Sequence, residues 1–194
     1  GQFIKICKPV SVAPNNKVTL FESLVKSVIG QQLSGKAASS IFRKLKTNLG
    51  DKKAVTVKGV IETPAEDIKN SGVSNSKAKT ILLIAEKIQD GTIPTIRKMN
   101  RMSDEEIINI LTTIKGIGRW TAEMMLISKL GRKDVMPSTD LGIRKGYSII
   151  FRKKTLAAPK HISKRSERWI PYRSIAAKYC WEAVNTSFEY KSME

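Results

Sequence analysis

The chain has 194 residues, 41% of them hydrophobic, enough for one compact domain or two small lobes sharing a core. Lys and Arg number 35 against 17 Asp and Glu, a formal net charge of +18, so the expected partner is a polyanion. Two cysteines, Cys7 and Cys180, cannot supply a four-cysteine iron–sulfur cluster or a cysteine-rich zinc site, and no apolar run reaches the ~20 residues of a membrane span. So few cysteines suggest a reducing compartment, although one disulfide is left open. No signal-peptide pattern is seen. Gly1 is not an initiator methionine, so a trimmed or altered N-terminus is expected.

Residues 1–17 read as irregular, broken by Pro9, Pro14 and Asn15-Asn16, with at most a short strand near the start. From Thr19 the spacing of Phe21, Leu24, Val25, Val28 and Ile29 predicts an amphipathic helix ending at Gly30. A polar loop follows, Gly30-Gln31-Gln32-Leu33, and Ser34 can cap the next helix. The run Ala37-Ala38-Ser39-Ser40 would let that helix pack closely. Thr63-Pro64-Ala65-Glu66 and Ser103-Asp104-Glu105-Glu106 both match the capping box and mark two more helix starts. Between them Ile81, Leu82, Ile84, Ala85 and Ile88 predict a helix over 77–89. Ile107, Ile108, Ile110, Leu111 and Ile114 put another over 103–113.

The stretch from Leu111 to Asp140 organises the rest. Gly116-Ile117-Gly118 is a tight turn between that helix and one starting at Arg119. Two glycines around one apolar residue suit unusual dihedrals or close approach by something outside. Amides at Gly118, Arg119 and Trp120 would open the second helix without partners inside it, which makes an anion site. A dinucleotide fingerprint is excluded: it needs a third glycine where Thr121 stands, and a strand in place of the preceding helix. Beyond Asp140 come a helix to about 151, a basic connection with Pro159 and His161, and a last helix from Arg173 to about 188. From Arg144 to Lys178 there are eleven Lys or Arg and one acid, Glu167, interleaved with Tyr147, Phe151, Trp169 and Tyr172. That pattern reads as the charged face of a folded lobe. His161 reads as a surface residue and Trp169 as core. The fold is predicted to be all-α, with no repeats.

LTTIKGIGRWTAEMMLISKLGRKDVMPSTDLGIRKG (111–146) resembles the helix–hairpin–helix and Gly/Pro…Asp signature of the DNA glycosylase superfamily. VIGQQLSGKAAS (28–39) and WIPYRSIAAKYCWE (169–182) resemble flanking motifs of its 3-methyladenine DNA glycosylase II branch. The resemblance implies a two-lobed helical fold with its active site in the cleft between lobes. All of 1–194 would be one glycosylase domain, with 19–118 forming the middle lobe. Residues 1–18 and 119–194 would hold the second hairpin helix, the catalytic loop and the basic lobe. The compact form, without an extra N-terminal β-rich domain, is expected.

The same resemblance assigns roles. Asp140 is the catalytic carboxylate, beside the positive charge that develops on the sugar as the bond from C1′ to the base breaks. Read from the residues alone, Asp140 is the N-cap of the next helix, and the two readings are compatible. Asp134 is its weaker rival. Relatives that also cut the strand carry a lysine where Trp120 stands, so a monofunctional hydrolase is implied. Trp120, Met124 and Trp181 would line the base pocket, where a π-face suits a cationic methylated base; ordinary core packing is the bland alternative for each. Gln32, then Leu33, would wedge into the gap left by the flipped nucleotide. Gly116, Gly118, Arg119 and Thr121 would bind phosphate. The carbonyls of Thr112, Ile114 and Ile117 correspond to an alkali-cation site, although Lys115 replaces the more usual proline. No cofactor is required beyond such a Na⁺ or K⁺. Arg173 reads as one half of a structural ion pair. The implied partner is double-stranded DNA carrying alkylated bases, bound by a monomer away from any membrane, in the nucleus of a eukaryote or the cytoplasm and nucleoid of a prokaryote. Two rivals remain open here: a non-catalytic helix–hairpin–helix DNA-binding protein, and a bifunctional glycosylase and lyase.

Overall fold

A computed structural model describes residues 3–4, 7–49 and 54–186. Among them it contains helices and no strand, so the all-α expectation holds and the short N-terminal strand is absent from the described residues. The chain divides into two compact units, Asn15–Leu130 and the pair of segments Gly1–Pro14 and Gly131–Glu194.

The larger unit opens with α1 (Leu20–Gly30), capped by the Thr19 hydroxyl accepting from the Glu22 amide. Phe21, Leu24, Val25, Val28 and Ile29 are buried as their spacing predicts. α2 (Gly35–Asn48) starts at Ser34, whose hydroxyl accepts from the Ala37 amide. Its buried residues are Phe42 and Leu45, while the small-residue run at 37–40 is half-buried or exposed. Close packing through that run is therefore not what holds α2. Two short helices follow, α3 (Val57–Glu62) and α4 (Ala65–Asn70). A helix does start at Ala65, but without the capping box: Thr63 closes α3, and Pro64 precedes α4 with no side-chain cap. α5 (Asn75–Gln89) and the single turn α6 (Ile96–Met99) lead to α7 (Asp104–Thr112). There Ser103 and Glu106 form both halves of the box. α8 (Arg119–Ser128) packs against α1 and α7 and buries Ala122, Met125, Leu126 and Ile127.

That packing moves the expected boundary. The second hairpin helix belongs with the larger unit, and the division falls at 130/131 instead of 118/119. The buried Lys129 closes the unit on itself: its ammonium donates to the carbonyls of Asn15 (2.5 Å) and Val18 (2.7 Å), and its own carbonyl accepts from Asn15 N.

The smaller unit is built on α9 (Leu141–Ile150) and α11 (Arg173–Asn185), which pack along their lengths. They approach closely at Gly146, where a Cβ would lie 1.8 Å from the Cys180 carbonyl oxygen. Ile143, Tyr147, Ala157, Ile162, Ala177 and Cys180 form the core, with Trp169 packed partly buried against it. Residues 159–166, expected as a basic connection, are helical instead (α10, Pro159–Ser166). Proline at the first position suits a helix start, and Ile162 anchors the helix in the core. His161 is exposed but bonded, Nε2 to the Tyr147 hydroxyl at 3.1 Å. Cys7 and Cys180 are both free thiols, and burial pushes Cys180 up to about 12. α11 ends at Asn185, where Thr186 is its C-cap, short of the expected end at about 188.

Candidate active site

The hairpin between α7 and α8 is shaped by one glycine. Gly116 has φ +94°, and a Cβ there would sit 2.1 Å from the Thr80 hydroxyl oxygen. Thr80 in turn donates to the Lys115 carbonyl at 3.2 Å, fastening the turn to α5. Gly118 differs. It has an ordinary φ of −93°, no side chain caps α8 there, and a Cβ would meet nothing within 4 Å. The opening turn of α8 thus faces open space with backbone amides and the positive end of the helix dipole.

The side chains expected to join that grip are turned elsewhere. Arg119 donates from Nη1 to Glu105 at 3.0 Å and from Nε to Glu123 at 3.1 Å, with a further Nη2 bond to Glu105. Two carboxylates therefore pair with the guanidinium, which stays at the surface. Thr121 is buried, and its hydroxyl accepts from Gln31 Nε2 at 2.9 Å. What Arg119 and Thr121 leave for an outside anion is backbone.

Gln31 is the residue that sequence reading passed over. Its amide also donates to the Gly116 carbonyl at 3.0 Å, joining the loop after α1 to the hairpin. Lys77 completes the frame, its ammonium donating to the carbonyls of Ile29 (2.9 Å) and Gln31 (2.8 Å). Burial lowers the pKa of Lys77. The loop so held presents Gln32 and Leu33 outward: both are exposed, and Gln32 stands in the left-handed region at φ +59°. A non-glycine residue there marks a loop shaped by its surroundings.

The carbonyls of Thr112, Ile114 and Ile117 lie at the end of α7 and in the turn. Ile114 O accepts the Ile117 amide at 2.9 Å and keeps a second lone pair. Neutral oxygens at the negative end of a helix fit an alkali cation. Among the described residues no cluster of His, Cys, Asp or Glu could hold a metal ion.

Asp140 lies in the smaller unit. It caps α9, Oδ1 accepting from the Ile143 amide at 2.8 Å, and the same oxygen accepts the Trp181 indole N–H at 2.8 Å. Trp181 was expected to line a base pocket; the structure also gives it the task of orienting the carboxylate. Trp120 and Met124, one turn apart on α8, are both partly buried in the larger unit. Asp134 is spent elsewhere. Arg173 grips it with Nε at 2.7 Å and Nη2 at 3.0 Å, and these bonds hold the Asp134 carboxyl below the usual carboxylate range. Arg173 is thus the structural partner that its position suggests.

The profile described as HhH-GPD superfamily base excision DNA repair protein matches residues 25–172, and the chain belongs to that family. Among relatives, it is 40% identical over 162 residues to DNA-3-methyladenine glycosylase 1 of Schizosaccharomyces pombe, covering 84% of this chain and 71% of that one. Among solved structures, it matches a 3-methyladenine DNA glycosylase of the same yeast in complex with abasic DNA. That match has a TM-score of 0.87 and 36% identity, covering 95% of this chain and 90% of the other. A DNA-3-methyladenine glycosidase from Bacillus halodurans aligns with a TM-score of 0.80 and 31% identity, covering 96% and 84%.

Proposed function

We propose that this protein is a monofunctional DNA glycosylase. It binds double-stranded DNA, turns out an alkylated base (3-methyladenine, with 7-methylguanine and related lesions) and hydrolyses the bond from C1′ to the base nitrogen. The observation that carries the reading is the fixed carboxylate, one oxygen of Asp140 held by both the Ile143 amide and the Trp181 indole. As the glycosidic bond breaks, its electron pair leaves with the base and positive charge grows on the sugar. A preorganised anion stabilises that charge and takes a proton from the attacking water, whose oxygen bonds to C1′. An abasic site remains.

The other parts follow from their chemistry. The α8 amides at Gly118, Arg119 and Trp120 bind a backbone phosphate. An alkali cation on the carbonyls of Thr112, Ile114 and Ile117 would add positive charge between hairpin and phosphate. Gln32, with Leu33 beside it, fills the place of the extruded nucleotide from a loop that Gln31 and Lys77 hold. Trp120, Met124 and Trp181 take the base, with aromatic faces that favour a cationic ring. Trp120 also excludes a Schiff-base nucleophile at its position, so water is the acceptor.

Incubating the protein with duplexes that each carry one lesion tests this. Free base should appear while the strand stays whole until alkali or heat cleaves it. Spontaneous scission, or a protein–DNA adduct trapped by borohydride, would refute the monofunctional reading. No base release from any alkylated duplex would refute the whole.

A further inference from the structure

The smaller unit contains a cavity of ≈ 850 Å³ that the proposed chemistry does not use. It lies beyond the C-terminal end of α9 and along the α11 face that carries Ile175, Ala176 and Tyr179. Trp181, two residues past Tyr179, is turned by about 200° around the helix and holds Asp140 on the other side.

Two features of the lining stand out. The first is exposed apolar surface. Phe151 and Trp169 stack with ring centroids 6.2 Å apart, and Ile4, Ile170 and Tyr172 beside them are each more than half exposed. Scattered apolar residues need no explanation, but a contiguous group around a cavity marks a binding surface. The second is the choice of cation. The chain has 25 lysines to 10 arginines, yet the cations lining the cavity are Arg152, Arg165 and Arg168, with no lysine and no carboxylate among the lining residues. Arg165 lies over the Phe151 ring at 5.8 Å. Arg152 stands at φ +51°, where glycine would be easier. Arginine is the residue that both stacks on aromatic rings and grips carboxylates with two parallel bonds.

We propose that this cavity docks an acidic segment of a partner protein, one that inserts an aromatic or branched aliphatic side chain between Trp169 and Tyr172 and sets flanking carboxylates on Arg165 and Arg168. A duplex would use the cations but has no apolar group to fill the cavity. This inference stands apart from the glycosylase reading and would survive its failure.

The test uses the full chain and a fluorescein-labelled peptide with tryptophan, leucine and phenylalanine flanked on both sides by glutamates. A control peptide carries glycine and serine in place of those three, and a third probe is a single-stranded oligonucleotide. The first peptide should bind roughly tenfold more tightly than the control, and Tyr172→Ala should abolish most of that difference. Arg165→Ala with Arg168→Ala should weaken it by a similar factor. Tyr172 is largely exposed, so its replacement opens no core and the test stands even if the arginine variant folds poorly. The chain has three tryptophans, so the indole N–H region of a ¹⁵N spectrum is simple. The Trp169 resonance should move on titration while that of Trp120 stays. Equal binding of the two peptides, or a stationary Trp169, would overturn the proposal. So would an oligonucleotide that moves Trp169 and loses affinity in Tyr172→Ala, since the occupant would then be nucleic acid.

Discussion

Two helix starts in this molecule are treated in opposite ways. α8 begins at Gly118 with no capping side chain, in open space. α9 begins at Asp140, whose carboxylate occupies the place where an anion would sit. A helix N-terminus favours negative charge in either case. The first start has no side-chain cap of its own, which is why we propose a phosphate as its partner. The second meets it with the protein's own carboxylate, which the Ile143 amide holds in place. Neighbouring groups follow the same division. Around α8 the charged side chain, Arg119, is paired with Glu105 and Glu123 and does not cap the helix start. Around α9 the backbone serves the side chain, and Trp181 is added to hold it.

The comparison breaks most visibly at Asp140. Asp140→Asn keeps the size and most of the capping ability, so folding and DNA affinity should change little. Excision should fall by ~10²–10³, the usual cost of removing one preorganised electrostatic group. The loss should be smaller for 7-methylguanine, whose cationic base leaves easily, than for a neutral base such as hypoxanthine. Single-turnover rates on matched duplexes measure both. A wild-type rate for Asp140→Asn would dismiss the assignment. Trp181→Phe keeps the aromatic face and removes only the N–H. It should cost about tenfold in the same assay, in line with a hydrogen bond to a charged group. If Trp181→Phe is as active as wild type, Trp181 packs without orienting.

The bare helix start can be tested by closing it. Gly118 has an ordinary φ and room for a side chain, so Gly118→Asp should fold as well as the wild type. It would give α8 the cap that α9 already has, with a carboxylate where the phosphate is expected. DNA affinity should drop several-fold at low salt. An unchanged affinity would mean that α8 does not bind the backbone.

How much of this was legible in the sequence depended on the range of the interaction. Thr19, Ser34 and the Ser103–Glu106 box cap helices within three residues, and Phe21 to Ile29 show their burial by spacing alone. The hairpin and Asp140 stood out for the same local reason. The Thr63 box failed because its residues are shared between the end of α3 and the start of α4. α10 was hidden because only Ile162 and Ser166 are buried in an otherwise polar helix. The partners that define the site are distant in sequence. Gln31 reaches Gly116 and Thr121, Lys77 reaches back to Ile29 and Gln31, and Thr80 sits under Gly116. No periodicity signals a lysine that braces a loop 46 residues earlier.

The smallest effect expected separates the two aspartates that sequence reading put side by side. Asp134 is paired, with Arg173 donating from Nε and Nη2, and those bonds lower its pKa in the folded protein. Unfolded, the carboxyl titrates near 3.9. Between the lowered folded value and about 4 the unfolded chain binds more protons, so stability rises with pH through that window. The contribution is complete above about pH 4 and is lost as pH falls through the folded pKa. Asp134→Asn should therefore cost about 1 kcal/mol at neutral pH, as for a partly exposed ion pair. It should also remove this part of the acid dependence and leave the excision rate of the folded enzyme near that of wild type. Urea midpoints at pH 7 and below pH 4, beside single-turnover excision at neutral pH, measure all three. A variant that keeps its stability but loses excision would move the catalytic carboxylate from Asp140 to Asp134.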